Sequence, residues 1–346
     1  MKTPDVELRE NIAAVSQMIY GNWMQQVTYA FAELGIADTL SKKAYSCEQL
    51  AGELQLNAKY LKRFLRCAIE MGYVNYDALT VSYSITKRGD LLSSHHPYSK
   101  NAEARLNGSD YRYNPWGNLT HILKNGHNER YSPTLKNGTL DYLKDKPDQL
   151  KVFHKAMFHV WRSENDAITQ GFDFSPFSTV MDVGCGTGSF LLSIVKNYNH
   201  LEGIMFDLPD TFNDLTIDDE RVALQTGNFF EEIPDTADVY TMKNVIHNWP
   251  QHKSEQLMKS AHRAMISTKG IETDPSKKRL LIIENILPDD GTADISNWMD
   301  LNFMVLIDGM ERTREEYKTL GEDCGFQLVD IHTTATNRDI IEYALR

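Results

Sequence analysis

The stretch VMDVGCGTGSF, residues 180–190, constrains the fold of this chain more than any other segment. A predicted apolar strand ends at Asp182, and Gly184, Gly186 and Gly188 then precede the helical sequence SFLLSIVKNY. Glycines permit a tight turn and a close approach of backbone to ligand, and the start of the helix offers free N–H groups. The segment therefore predicts an α/β domain that binds a polar or anionic ligand at the carboxyl edge of a sheet.

The spacing of these glycines argues against two common nucleotide sites. The third glycine of a dinucleotide fingerprint would fall at position 189, which is Ser189, and the chain has no G-x-x-x-x-G-K-[ST] loop. The next predicted strand, LEGIMFDLP, ends in Asp207, whose carboxylate is placed to accept hydrogen bonds from a ribose diol. The loop and Asp207 together predict a ligand site that differs from those of NAD enzymes and nucleoside triphosphatases.

The pattern of apolar residues divides the chain into three parts. Helical periodicity dominates residues 1–110, where a helix start at Ser46, a helix from about Ala58 to Met71 and an alternating hairpin sequence outline a winged helix. Residues 111–170 predict a helical connector, and residues 171–346 alternate short β-rich runs with helices. This second pattern predicts a parallel sheet covered by helices, with the last pair of strands antiparallel at one edge. The seven runs are TVMDVG, LEGIMFDL, VALQTGNF, ADVYTMKNV, RLLIIENI, FQLVDIHTT and IIEYALR.

Charge and composition narrow the possible partners. A net charge of −12 argues against broad affinity for nucleic acid or for an anionic membrane surface. The sequence has no apolar run of the ~18–20 residues that a bilayer span needs, and its first residues lack the apolar region of a signal peptide. The four cysteines show no metal-ligand spacing. We therefore expect a reduced, cytoplasmic protein without a bound metal or a membrane partner.

Six motifs resemble, in the same order, those of the small-molecule O-methyltransferases that use S-adenosyl-L-methionine. They are DVGCGTG, FDLP, GNFF, KNVIHNW, IIENILP and GMERTREEY. The resemblance covers nearly the whole chain and extends to plant caffeate enzymes, acetylserotonin methyltransferase and bacterial enzymes that tailor antibiotics and phenazines. It implies a Rossmann-like class I methyltransferase domain, a mainly helical winged-helix-like dimerisation domain before it, and a homodimer that releases S-adenosyl-L-homocysteine.

The resemblance also implies which residues bind the cofactor. The methionine part lies against the glycine loop, Asp207 binds the ribose hydroxyls, and Phe229 packs on the adenine. Asn228 stands where many members have an aspartate that faces the adenine amino group, and its amide oxygen can still accept that hydrogen bond. The complete set is Asp182, Gly184, Gly186, Gly188, Asp207, Asn228, Phe229 and Lys243.

His247 is the predicted general base. It follows the strand ADVYTMKNV, so it is expected at the same carboxyl edge as the glycine loop. Imidazole has a pKa near ~6.5 and can take the proton of a phenol whose pKa is near ~10. In the family, glutamates orient this histidine, and Glu284 and Glu311 match their positions. Taken alone, the histidine would be read as a helix-start residue that faces water.

The substrate wall is predicted from the resemblance, and its members are Trp116, Phe153, Met157, Asn248, Trp298, Met299, Asn302 and Met304. Aromatic and methionine side chains suit a flat aromatic ligand, although each of them could equally be part of the hydrophobic core. Many members have aspartate where this chain has Asn248, which bears on how the substrate is oriented.

The sequence thus predicts methyl transfer to a phenolic hydroxyl of an aromatic secondary metabolite. One alternative is methylation of a ring nitrogen in a phenazine-like compound, and another is a cofactor-binding regulator without catalysis. A third is a DNA-binding winged helix, because Lys59, Lys62, Arg63 and Arg66 give one helix a basic face. We do not expect nucleic acid as a partner, since such a face is more often solvated surface.

Overall fold

The computed structural model describes residues 6–126, 139–161, 164–213, 215–267 and 274–346. The chain forms two compact units, one of Met1–Gly117 with Leu140–His159 and one of Asn118–Thr139 with Val160–Arg346. Each unit has its own buried apolar clusters. Among the described residues, no helix is both long and apolar enough to cross a bilayer.

The first part of the chain is mainly helical. Its helices are α1 (Val6–Ile19), α2 (Gly21–Glu33), α3 (Ile36–Leu40), α4 (Cys47–Glu53), α5 (Ala58–Glu70), α6 (Lys87–Asp90), α7 (Asn101–Gly108), α8 (Asp110–Tyr113), α9 (Leu119–Asn125), α10 (Thr139–Leu143) and α11 (Pro147–Trp161). Its strands, β1 (Val74–Asp77) and β2 (Ser82–Ile85), form an antiparallel hairpin after α5. The predicted helix, helix, hairpin order is therefore present.

Local sequence signals explain where the helices of this unit begin. Ser46 caps α4, because its hydroxyl accepts from the Gln49 N–H at 3.2 Å while the Gln49 side chain accepts from the Ser46 N–H at 2.9 Å. The Asn57 side chain accepts from two N–H groups at the start of α5. The apolar face of α5 packs Leu61 and Leu65 into the cluster of this unit.

The second unit contains a seven-stranded sheet and its covering helices. The strands of the sheet are β3 (Thr179–Val183), β4 (Glu202–Asp207), β5 (Val222–Thr226), β6 (Val239–Lys243), β7 (Arg279–Glu284), β10 (Phe326–His332) and β11 (Asp339–Leu345). The remaining elements are α12 (Asn165–Thr169), α13 (Ser189–Asn197), α14 (Gln251–Ile266), α15 (Ile295–Ile307), α16 (Arg314–Asp323) and the short parallel pair β8 (Ile286–Leu287) and β9 (Arg312–Thr313).

The order of strands in the sheet is β10-β11-β7-β6-β3-β4-β5. Strands β3 to β7 run parallel, whereas β11 is antiparallel to both of its neighbours, which confirms the predicted antiparallel pair at one edge. The first strand of the sheet, β3, lies inside it. The chain adds β4 and β5 on one side of β3 and then crosses to add β6 and β7 on the other side. The crevice between β3 and β6 is therefore the topological switch point, where ligands bind in open α/β sheets.

Burial on both faces fixes this sheet. Met181 and Val183 of β3 belong to one apolar cluster, and the alternate residue Val180 belongs to a second cluster on the opposite face. Such double coverage is typical of parallel strands and explains their nearly continuous apolar sequence. The polar residues that end these strands are consequently the ones available for a site.

Candidate active site

The glycine loop joins β3 to α13 through three residues with positive φ. Gly184, Gly186 and Gly188 have φ of +74°, +55° and +71°. A Cβ atom on Gly188 would lie 1.9 Å from Cε of the buried Met205, so this position has no room for a side chain. A Cβ on Gly186 would meet nothing within 4 Å. The backbone at Gly186 is thus open to a ligand, as the sequence predicts.

Asp207 ends β4 with its carboxylate turned toward the loop. Its Oδ2 accepts a hydrogen bond from the Gly186 N–H at 2.9 Å. Its Oδ1 accepts from the Leu208 N–H at 2.7 Å and from the Thr211 hydroxyl at 3.0 Å. These bonds fix the carboxylate beside the glycine loop, where the prediction places the ribose hydroxyls.

Asp182, which is buried, and Lys243, which is half-buried, are ionisable groups on adjacent strands. Burial raises the pKa of Asp182 to about 6, although the Thr241 hydroxyl donates to it at 2.8 Å. Burial lowers the pKa of Lys243 to about 8, and the positive charge of Arg338 lowers it further. Perturbed pKa values at the carboxyl ends of central strands are typical of functional sites.

The predicted adenine residues lie next to the loop. The Phe229 ring is 3.6 Å from where a Cβ on Gly184 would lie. Asn228 accepts from the Phe230 N–H at 3.0 Å through Oδ1 and donates to Glu231 at 3.0 Å. An amide oxygen has two lone pairs, so Oδ1 keeps one for a ligand.

His247 is held from two sides by one carboxylate. It lies in the 3-10 turn Ile246–Asn248 after β6, and only 4% of its surface is exposed. Its Nδ1 is 2.5 Å from Oε2 of Glu284, and its backbone N–H donates to Oε1 of the same residue at 3.3 Å. A carboxylate accepts only, so Nδ1 carries the proton and the lone pair of neutral imidazole lies on Nε2. The ring is thereby oriented as a base.

The charges around His247 shift its pKa upward. Burial lowers the pKa of the imidazole, but the charge and hydrogen bond of Glu284, with the charge of Glu311, outweigh it and leave the pKa raised. Burial raises the pKa of Glu311 to about 7. Asn285 donates to Oε1 of Glu311 at 2.9 Å, and within the described residues no group bonds Oε2.

The same three side chains also meet a simple distance criterion for a metal site. Their nitrogen and oxygen atoms lie within 4.8 Å of one another in a group of His247, Glu284 and Glu311. The short bond between Nδ1 and Oε2 engages a nitrogen and an oxygen that a metal ion would need for itself. The geometry therefore favours a hydrogen-bonded histidine with two glutamates.

Helix α15 covers the imidazole with a residue that the sequence reasoning missed. The Phe303 ring stacks on His247 with centroids 4.3 Å apart and planes 13° apart. Met299 precedes Phe303 by four residues and so shares its face of the helix. This spacing could have identified Phe303 as a candidate site residue. Trp298 is 64% exposed, whereas Met299, Asn302 and Met304 are half-buried.

The other predicted substrate residues have different surroundings. Asn248 uses its amide within the turn, where Nδ2 donates to the Asn244 carbonyl at 2.8 Å. Phe153 and Met157 pack against a small apolar cluster of the first unit, and Trp116 lies half-buried in the 3-10 segment Asn114–Asn118. Their contact with a substrate stays a prediction.

The glycine loop and the histidine turn are neighbours, because a Cβ on Gly184 would lie 3.0 Å from Val245. A family model described as an O-methyltransferase domain matches residues 116–327, and a model of the O-methyltransferase dimerisation domain matches residues 16–95. The chain belongs to the O-methyltransferase family. This confirms the predicted enzyme class, its dependence on S-adenosyl-L-methionine and the α/β fold with an N-terminal dimerisation domain.

Individual relatives agree with this assignment. The chain is 31% identical to phenazine O-methyltransferase PhzM of Lysobacter antibioticus, with 94% of each chain covered. It is 27% identical to the mitomycin biosynthesis 6-O-methyltransferase of Streptomyces lavendulae, with 91% of this chain and 88% of the other covered. The solved structure of LaPhzM matches with a TM-score of 0.83 at 30% identity, covering 96% of this chain and 99% of the other. Human N-acetylserotonin methyltransferase in complex with SAM has the same fold, with a TM-score of 0.81 at 21% identity over 100% of this chain and 99% of the other.

Proposed function

We propose that this enzyme methylates a phenolic hydroxyl of an aromatic secondary metabolite, with His247 as the general base. The observation that carries the proposal is the pair of His247 and Glu284, in which one carboxylate binds both Nδ1 and the backbone N–H of the histidine. The pair lies at the switch point of the sheet, directly beside the glycine loop. The names of the relatives, which include a phenazine and a mitomycin methyltransferase, support an aromatic metabolite as substrate.

The residues around the loop fit the cofactor. S-adenosyl-L-methionine supplies a methyl group on a positively charged sulfur, which leaves as the neutral thioether without help from an acid. Asp207, fixed beside the loop, would accept from the ribose hydroxyls, and the open backbone at Gly186 would face the methionine part. Asn228 and Phe229 hold the adenine, while Asp182 and Lys243 set the charge at the ends of β3 and β6.

The base acts on the acceptor oxygen. Nε2 of His247 takes the proton of the phenol as the oxygen attacks the methyl carbon, so the imidazole becomes an imidazolium. The Glu284 carboxylate stabilises that charge through the Nδ1 hydrogen bond, and Glu311 adds a second negative charge when it is ionised. General-base help of this kind contributes about 10²–10⁴-fold to the rate.

In the proposed complex, aromatic and methionine side chains of the protein line the site of the acceptor. Phe303 already stacks on His247, and Met299 lies on the same side of α15. In the proposed complex, a flat aromatic acceptor packs against this face of α15 with its hydroxyl at Nε2 of His247. Trp298, Asn302 and Met304 complete the proposed wall, and Asn248 acts on it indirectly through the turn.

We also propose that the enzyme works as a homodimer. None of the described residues of α1 is buried, even though many of them are apolar. Among these apolar residues, the following are each more than half exposed: Val6, Ile12, Val15 and Met18. Trp23 of α2 is likewise 63% exposed. Apolar area on this scale is typical of an interface, and the dimerisation model begins within α1 at residue 16. Light scattering should give twice the mass of one chain, and a monomer at micromolar concentration would contradict this.

The basic face of α5 does not change this proposal. Lys59, Lys62, Arg63 and Arg66 are exposed, as side chains on a solvated helix surface are. The dimerisation model covers the whole of α5, which supports a role in assembly of the enzyme over one in reading DNA. Cytoplasmic localisation stays a prediction from the sequence.

The test is an assay of methyl transfer from S-adenosyl-L-methionine to hydroxyphenazines, hydroxyanthraquinones and catechols, with mass spectrometry of the products. We expect at least one phenol to gain a methyl group, and His247→Ala to lose about 10²-fold or more of kcat with little change in cofactor affinity. His332→Ala is the matched control, because His332 also pairs with a glutamate, at 2.8 Å, but outside the site.

Three outcomes would revise the proposal in different ways. If no hydroxylated aromatic accepts a methyl group, the proposed substrate class is wrong. If the product carries the methyl group on a ring nitrogen, the proposed acceptor atom is wrong. If His247→Ala keeps full activity, the assignment of His247 as the base is wrong, but the enzyme remains a methyltransferase.

A further inference from the structure

The turn that carries His247 begins with an unusual backbone conformation. Asn244 follows β6 directly and has φ of +58°, in the left-handed region that few residues other than glycine adopt. Its N–H still donates to the Ile283 carbonyl of β7 at 3.1 Å, so the chain leaves the sheet at this residue. Three residues later comes His247, and the direction of the whole turn therefore depends on Asn244.

A buried arginine holds the side chain of Asn244. Nε of Arg338 donates to Oδ1 of Asn244 at 2.6 Å, and Nη1 forms an ion pair with Glu164 at 2.7 Å. The Arg338 side chain is only 7% exposed. It comes from the residue before β11, and the next residue, Asp339, pairs with Glu284 across the sheet. One side chain thus ties the base-bearing turn to β11, the strand that pairs with β7 and its Glu284.

Asn248 closes the turn from its other end. Its Nδ2 donates to the carbonyl of Asn244 at 2.8 Å, so the two asparagines enclose His247 in a small loop of hydrogen bonds. An aspartate at position 248 has no N–H to donate and could not make this bond. This hydrogen bond is the reason that asparagine suits position 248, where many members of the family have aspartate.

We propose that Arg338 is a positioning residue for His247, which it places through Asn244 while setting its positive charge behind the glutamates of the base. The inference rests on the proposed function, because it takes His247 as the base. It assigns this chain a device made of Arg338, Asn244 and Asn248 that lies outside the three residues assigned to proton transfer.

The charge of Arg338 gives the device a second, measurable effect. The charged groups that face His247 are Glu284 at the end of β7, Glu311 before β9 and Arg338 before β11. The positive charge of Arg338 lowers the pKa of both His247 and Glu311. Removing it raises the pKa of the base, so the acidic limb of the pH profile of kcat/KM moves to higher pH.

The experiment compares Arg338→Met, Arg338→Lys and Asn244→Gly with wild type. Arg338→Met removes both charge and hydrogen bond, and Arg338→Lys keeps the charge but loses the planar fork. Asn244→Gly tolerates the positive φ, keeps the backbone carbonyl that Asn248 bonds, and loses the side-chain amide that Arg338 bonds. The matched control is Arg279→Met, which breaks a similar ion pair, with Glu342 at 2.9 Å, at the opposite end of β7.

We expect Arg338→Met to move the acidic limb upward by about half a pH unit or more, the size expected for one nearby buried charge. Arg338→Lys should leave the limb in place, and both Arg338→Lys and Asn244→Gly should lower kcat about tenfold through misplacement of the base. Cofactor affinity should stay within about twofold, and Arg279→Met should behave as wild type. Should Arg338→Met fail to fold, Arg338→Lys and Asn244→Gly decide the question, and wild-type kcat in both overturns the inference.

A histidine NMR titration separates this inference from the proposed function. The His247 signal is identified by its loss in His247→Gln. If its pKa rises in Arg338→Met but the pH profile does not follow, His247 is not the base, and that part of the proposed function fails while methyl transfer stands. If the wild-type profile follows the His247 titration and neither changes in Arg338→Met, the proposed function stands and the role of Arg338 is refuted.

Discussion

Replacing Glu284 by glutamine tests the arrangement of the base most directly. Glu284 has no exposed surface and accepts two hydrogen bonds from His247, one from Nδ1 and one from the backbone N–H. Glutamine has the same shape, but one of its two terminal atoms must be a donor. The backbone N–H of His247 can only donate a hydrogen bond, so the glutamine oxygen must be the atom that faces it. The NH₂ group then faces Nδ1, which must accept, and the ring proton moves to Nε2.

The magnitude follows from the cost of the opposite arrangement. If the glutamine flips to keep Nδ1 protonated, its NH₂ group faces the backbone N–H and a buried donor is left without an acceptor. That penalty is about 1–3 kcal/mol, so the reactive tautomer becomes about 5- to 150-fold rarer. Glutamine also has no charge to stabilise the imidazolium, and charge-assisted bonds are about twice as strong as neutral ones. We therefore expect kcat to fall about 10²–10³-fold.

The assay is steady-state methyl transfer with saturating cofactor, together with calorimetric measurement of cofactor binding and a thermal melt. The cofactor Kd should remain within about threefold of wild type, because Glu284 contacts the histidine and the effect is on the tautomer. Glu342→Gln is the matched control, since Glu342 pairs with His332 at 2.8 Å in the same sheet. If Glu284→Gln retains kcat within about threefold of wild type, the tautomer argument is wrong.

Three further predictions concern the loop, the second glutamate and the covering ring. Gly186→Ala and Gly188→Ala should each lower stability by about 1–2 kcal/mol from their positive φ. Gly188→Ala should lose more because Met205 must move, whereas Gly186→Ala should in addition weaken cofactor binding. Melts that show equal losses of stability in the two variants would contradict this. The folded-state pKa of Glu311 is raised from 4.5 to about 7, so its contribution to stability is lost as pH rises through that range. In urea titrations, Glu311→Gln should therefore lose less stability than wild type between about pH 5 and about pH 8. Parallel curves of stability against pH would refute the burial effect. Phe303→Ala should lower kcat about 2- to 12-fold with unchanged cofactor Kd, since a stacked pair contributes about 0.5–1.5 kcal/mol, and an unchanged kcat would show that the ring does not hold the base.

Residues at the ends of strands could be predicted because strand ends obey a topological rule. Asp207 and His247 follow apolar runs, and parallel strands bring such residues to one edge whatever the details of packing. The glycine loop was predictable for a similar reason, since three closely spaced glycines between a strand and a helix permit the left-handed conformations that a tight turn requires. The fold class and its antiparallel edge came from the same local patterns.

The contacts around the base could not be predicted in this way. Arg338 meets Asn244 across 94 positions of sequence, and nothing local to either residue indicates the other. Phe303 was passed over because its neighbours carried the resemblance, although its side chain is the one that stacks on His247. Asn248 was expected to act on the substrate, whereas its amide bonds the Asn244 carbonyl, a detail that depends on the left-handed φ of Asn244. Side-chain packing between distant segments decides such positions.

The place of β11 inside the sheet has a consequence for biosynthesis. This strand lies between β7 and β10, and Arg338 stands immediately before it. A nascent chain synthesised up to β10 contains all five parallel strands and the glycine loop, but it lacks both the strand beside Glu284 and the arginine that bonds Asn244. A chain interrupted before residue 338 would therefore contain the glycine loop but lack both the strand that pairs with Glu284 and the arginine that holds Asn244.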